Sequence, residues 1–120
     1  MMKKAIIALS IALLSGCVNI GRVGLHPDTK TAYFKGRSYQ VESCLVSAAL
    51  AQNLMLEQDD PLPDGTKRFN LEQPDDTVIA WVEIARFNHH QTSATFYYDA
   101  HAPDITAAVS AMITACKTRF

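Results

Sequence analysis

The placement of three cysteines constrains this 120-residue chain more than any other feature of it. Cys17 closes an N-terminal stretch of distinct character, Cys44 lies early in the remaining chain, and Cys116 stands four residues from its end. The stretch before Cys17 opens with Lys3 and Lys4 and continues as an apolar run from Ala5 to Leu14. Ten residues of helix rise about 15 Å, half of a bilayer core of about 30 Å, so the run is too short to span a membrane. A basic start followed by a short apolar core is the pattern of a secretory signal peptide. An odd number of cysteines is awkward in an exported protein, so one of the three calls for a separate explanation.

The segment Leu14-Ser15-Gly16-Cys17 resembles the lipobox of bacterial lipoproteins, in which small residues precede a cysteine that becomes lipidated. The resemblance covers residues 1–17. It implies a signal peptide over 1–16, removed on export, and a mature chain whose first residue, Cys17, carries acyl chains. Each buried methylene of such a chain contributes about 0.8 kcal/mol, and several chains together hold a protein stably on a bilayer. Val18 follows the cysteine. In the enterobacterial pattern an aspartate there retains the protein at the inner membrane, so its absence implies the outer membrane, with the domain facing the periplasm rather than the cell surface. An ordinary signal peptide with a chance cysteine is the alternative. With Cys17 assigned to lipid, Cys44 and Cys116 remain as a pair in an oxidising compartment, which implies a disulfide; two buried free thiols are the rival reading. No histidine adjoins either cysteine in sequence, so nothing local marks a nucleophilic thiol.

Hydrophobic residues make up 48% of the chain and charged residues 19%, as a folded globular domain requires. The formal charge is −1 and becomes −3 once Lys3 and Lys4 leave with the signal, which excludes a general nucleic-acid binder. Residues 17–31 contain Gly21, Gly24 and Pro27 with little periodicity and read as a lipidated N-terminus and flexible tether, about 50 Å at full extension. Residues 32–120 read as one domain. Ala32 to Val41 is ambiguous, an extended stretch packed against that domain.

From Glu42 to Asn53 the apolar residues Cys44, Leu45, Ala48 and Ala49 recur at helical spacing. Leu54 to Asp59 reads as a strand, and Asp60-Pro61-Leu62-Pro63-Asp64-Gly65 as a turn. Thr66 to Glu72 alternates, with Phe69 and Leu71 on one face. Thr77 to Asn88 is apolar on both faces, as a central strand is, with Val78, Ala80, Val82 and Ile84 on one side and Ile79, Trp81 and Phe87 on the other. His89-His90 makes a hairpin tip, and Gln91 to Asp99 returns through Ala94, Phe96 and Tyr98. Pro103 or Asp104 opens a second helix with the stripe Ile105, Ala108, Val109, Met112 and Cys116, and Lys117 and Arg119 suit its negative end.

The expected disulfide tests the number of strands between the helices. Four antiparallel strands make the helices antiparallel and bring Cys44 in a first turn beside Cys116 in a last turn. Three would leave the cysteines about 15–18 Å apart, beyond the roughly 7 Å a disulfide allows between Cα atoms. The expected fold is therefore α+β, a four-stranded antiparallel sheet with two antiparallel helices on one face in the order α-β-β-β-β-α. This layout resembles the helix-grip-like domains of small Gram-negative envelope lipoproteins, among them some lipoprotein subunits of the outer-membrane β-barrel assembly machinery. The resemblance covers residues 42–118 in layout only, so no binding residue transfers from it.

No phosphate-binding glycine loop, zinc motif, nucleophile elbow or paired-cysteine redox motif occurs, and no cofactor is implied. His89 and His90 are candidate metal ligands with Asp59, Asp60 and Asp64, which should share their end of the sheet; solvated turns are the plainer reading. Asp75, Asp76, Asp99, His101 and Asp104 gather at the other end, as capping and turn residues or as an acidic rim for a basic partner. Trp81, Tyr97 and Tyr98 fit sheet packing or a saccharide or peptide site. Glu83 interrupts an otherwise apolar strand face, so Ile79, Trp81, Glu83 and Phe87 form a candidate protein-contact surface. The expected function is a non-catalytic, membrane-anchored interaction or envelope-accessory module with a protein partner in the envelope. A binder of a small envelope ligand is the alternative, and a metal-dependent hydrolase using His89 and His90 is a third reading.

Overall fold

Strands rich in alternating apolar and polar residues, followed or preceded by two helices each with one apolar side, set the architecture. A computed structural model describes residues 21–120; the expected signal peptide, Cys17 and the beginning of the expected tether lie outside the described residues. Along the chain run β1 (Asp28–Phe34), α1 (Ser38–Ala51), β2 (Met55–Gln58), β3 (Lys67–Glu72), β4 (Val78–Arg86), β5 (Thr92–Tyr98) and α2 (Pro103–Arg119). The strands form one sheet in the order β1-β5-β4-β3-β2, every pair antiparallel.

The α+β class and the four strands between the helices agree with the sequence reading, but the sheet has five strands rather than four. The added strand is β1, at the edge beside β5, drawn from the stretch read as tether and ambiguous extension. Its sequence, Asp-Thr-Lys-Thr-Ala-Tyr-Phe, buries only Ala32 and Phe34, because an edge strand half in water has little apolar signal to show. Lys30 sits opposite Phe96 at a core-side register position yet stays exposed. The residues before β1 are also built into the fold. Arg22 N–H donates to the Val78 carbonyl at 2.7 Å, and Val23 is 1% exposed. Gly21 has φ +49°, and a Cβ there would fall on the Val78 backbone, so glycine alone permits this approach.

α1 begins at Ser38, four residues before the expected start. The Arg37 backbone N–H donates to the Gln40 side chain at 2.9 Å, and the Arg37 carbonyl accepts from the amides of Gln40 and Val41. Arg37-Ser38-Tyr39-Gln40 carries no buried residue, which is why periodicity missed this turn. Cys44 consequently sits mid-helix rather than in a first turn. The helix ends at Ala51, and just beyond it Asn53, with φ of +58°, lets Leu54 N–H return to the Ala49 carbonyl at 2.9 Å.

One face of the sheet carries the core in register: Leu56, Leu71, Ala80 and Tyr98 form one row, and Phe69, Val82 and Phe96 the next. Ile84, Ala94 and Ala32 follow, then Phe34. These residues share one cluster with Val41, Cys44, Leu45, Ala48 and Ala49 of α1 and with Ile105, Val109, Met112, Ile113 and Cys116 of α2. Cys44 and Cys116 are bonded, with Cα atoms 5.8 Å apart across 72 residues of sequence. A crosslink closing a loop of that length stabilises a fold by about 4 kcal/mol in the chain-entropy account. Urea denaturation of oxidised and reduced protein should therefore differ by several kcal/mol, and the Cys44→Ala/Cys116→Ala protein should behave like the reduced form.

Candidate functional site

A strand exposes alternate residues on opposite faces, so the register that buries Val82 and Phe96 turns Trp81, Glu83 and Tyr97 outward. Neither helix contributes to this outward face. Its central rows pair Asn70, Trp81, Tyr97 and Thr29, then Arg68, Glu83, Thr95 and Thr31. The guanidinium of Arg68 lies over the Trp81 ring, 5.0 Å from its centroid, a cation–π contact. Arg68 Nε is buried without a hydrogen-bond partner. The Tyr97 hydroxyl donates to Glu83 Oε2 at 3.0 Å, and the Thr31 and Thr95 hydroxyls lie 3.2 Å apart. Burial first, then the hydrogen bond to Glu83 and its negative charge, raise the Tyr97 phenol above the usual tyrosine range, so it remains a donor.

Of the four residues expected on this surface, Trp81 and Glu83 lie on it side by side, but Ile79 does not. A bulge accounts for this: Leu71 faces Ala80 while Glu72 faces Val78, leaving Ile79 as the extra residue. Ile79 is 2% exposed and belongs to the core. Phe87 lies just past β4 and packs on Tyr33, ring centroids 4.8 Å apart, with both rings largely exposed. The outward face thus carries two aromatic patches, Trp81 with Tyr97 and Tyr33 with Phe87, on either side of a polar row. Arg68 and Tyr97 gained their roles through cross-strand register, which no single segment of sequence states.

His89 and His90 do form the β4–β5 hairpin tip. Arg86 Nη2 donates to His89 Nδ1 at 2.8 Å, and the His90 backbone N–H donates to Asn88 Oδ1 at 2.8 Å. Asp59 and Asp64 are occupied with their own loop, accepting from the backbone amides of Asp60 and Thr66. Among the described residues no three His, Cys, Asp or Glu side chains come together as a metal site would require.

The acidic end is partly satisfied internally. Arg22 makes a two-pronged ion pair with Asp104 at 2.9 and 3.1 Å, and this bond holds the Asp104 carboxyl below the usual range. Asp28 accepts from the Ala100 amide at 3.2 Å, and Asp75 and Asp99 accept from the amides of Thr77 and His101. Near the β2 edge, Glu72 shares a hydrogen bond with Glu57; that bond, partial burial and the charges of Glu57 and Asp76 push Glu72 up to about 7. The folded protein then holds a proton that the unfolded chain releases near 4.5, so stability falls as pH rises between about 4.5 and about 7. Urea midpoints measured at pH values bracketing that window should show this decline in the wild type and a flatter profile in Glu72→Gln.

Comparison with protein-family models, curated proteins and solved structures finds no match to this chain.

Proposed function

We propose that this chain is a lipid-anchored, non-catalytic interaction module of a bacterial envelope. Cys17 carries the acyl chains, the outer membrane holds them, and the domain faces the periplasm. The observation that carries the reading is the docking of Gly21, Arg22 and Val23 against the start of β4 and α2. Four residue steps separate Cys17 from Gly21 and span at most about 14 Å. A domain seated so close to an acylated residue is presented on a bilayer in a defined attitude, instead of drifting at the end of a long leash. In that attitude the end with Arg22, Asp99 and Asp104 faces the membrane, and the strands carry the outward face away from it.

The partner is a protein, met at Trp81, Tyr97, Arg68 and Glu83. Tryptophan, tyrosine and arginine are the residue types that supply most of the binding energy at protein interfaces, and here they stand together on a face that no helix covers. Glu83 and Arg68 offer both signs of charge beside the rings, which favours a polypeptide over an apolar surface.

Two measurements test the two halves of this reading. Metabolic labelling with a clickable fatty acid should mark the wild-type protein and fail on Cys17→Ser; equal labelling of both removes the anchor. A photo-crosslinking residue introduced at Asn70 should give one recurring envelope adduct in intact cells, lost on Trp81→Ala and kept on Lys30→Ala. An adduct indifferent to Trp81→Ala, or no adduct, counts against the docking face.

A further inference from the structure

At the pole of the sheet opposite Arg22 and Asp104, the β1–α1 turn, the first turn of α1 and the β4–β5 hairpin enclose an open cleft of about 1020 Å³. Its walls carry Lys35, Arg37, Arg86, His89 and His90, and none of its lining residues bears a carboxylate. Lys35, Arg37 and Arg86 form no ion pair among the described residues, whose pairs are Arg22–Asp104 and Lys67–Glu42. Residues 1–20 contain no Asp or Glu that could supply one. Three cations on the walls of one cleft repel each other, and among the described residues no carboxylate lines it to offset them. α1 adds to the positive field, because it opens into the cleft with no acidic residue in its first turn.

The walls are held in place. The buried Thr92 hydroxyl donates to the Gly36 carbonyl at 2.8 Å, tying the hairpin to the β1–α1 turn. Arg86 donates to His89 Nδ1, which leaves the proton of a neutral His89 on Nε2 as a further donor. Tyr39, 61% exposed, sets an aromatic ring on the rim.

We propose that this cleft binds an organic phosphate. Guanidinium forks such as those of Arg37 and Arg86 match phosphate oxygens in pairs, with Lys35 as a third positive charge. The volume exceeds what a bare ion needs and falls near the upper end of the range of sites for small organic molecules, about 300–1,000 Å³. A soluble phosphate ester and a phospholipid headgroup share this chemistry. The cleft uses none of the residues assigned to the docking face, so the inference stands or falls separately from the anchored-module reading.

The test is calorimetric titration of the purified full chain, in non-ionic detergent and moderate salt, with inorganic pyrophosphate as probe. Saturable one-to-one binding is expected, weakened about tenfold or more by Arg37→Gln and by Arg86→Gln, and unchanged by Lys30→Gln on the exposed β1 edge. Lys35→Gln serves as the substitute should either arginine variant lose its cooperative melting transition. No saturable binding, or an equal loss with Lys30→Gln, overturns the proposal, since the latter means attraction to overall charge without a site. Glycerol 3-phosphate binding as tightly as a monomeric short-chain phosphatidylglycerol assigns the cleft to a free ester; clearly tighter binding of the lipid assigns it to a headgroup.

Discussion

Each helix covers only part of the sheet: α1 packs on β2 and β4, while α2 packs on β1 and β5. The bond between Cys44 and Cys116 joins these two covers over the middle of the core, where Leu45, Val109 and Met112 exclude water completely. A domain this small buries a modest fraction of its surface, and a covalent tie between its halves offsets the shortfall by narrowing the unfolded ensemble. With both helices fixed on one face, the opposite face stays open, and the strand ends are free to carry loops of unlike charge.

That unlike charge is arranged along the strands. β4, nine residues and about 30 Å long, runs from Val78, where the incoming chain docks, to Arg86 at the mouth of the basic cleft. Carboxylates at the first end are matched by Arg22, by backbone amides and by the start of α2. Lys35, Arg37 and Arg86 at the second end make no ion pair among the described residues. In the anchored reading the neutralised end meets the membrane and the uncompensated end projects from it, so the two proposed contacts, the outward face and the cleft, are both reachable by molecules approaching from the periplasm.

The core of this architecture was readable in the sequence because it is written in local repetition. Thr77 to Asn88 announces a central strand, Ile105 to Cys116 a one-sided helix, and the cysteine pairing leads to four strands between the helices, as observed. What escaped depends on neighbours. β1 is legible only once β5 offers it a partner, since Thr29, Lys30 and Thr31 carry no apolar alternation. The first three residues of α1, Ser38 to Gln40, are all exposed and bury no apolar side chain. Ile79 lies on the face opposite to the one alternation predicts, because a bulge shifts parity by one residue with no glycine or proline in β4 to announce it. The basic cleft joins residues 35–40 to residues 86–92, segments whose charges look unremarkable until topology brings them together.

β1 and β2 close the sheet at its two sides, and each is unsuited to adding a strand from another molecule. β2 has four residues and is followed by Asp59, Asp60 and Pro61. β1 is longer, but Lys30 points to the core side of the pleat. An incoming strand would have to shelter that ammonium group, at a cost of several kcal/mol. Proteins confined to a two-dimensional layer meet one another far more often than those in free solution. In the anchored reading, a lysine at that register position on an open border works against crowded copies zipping together into ribbons.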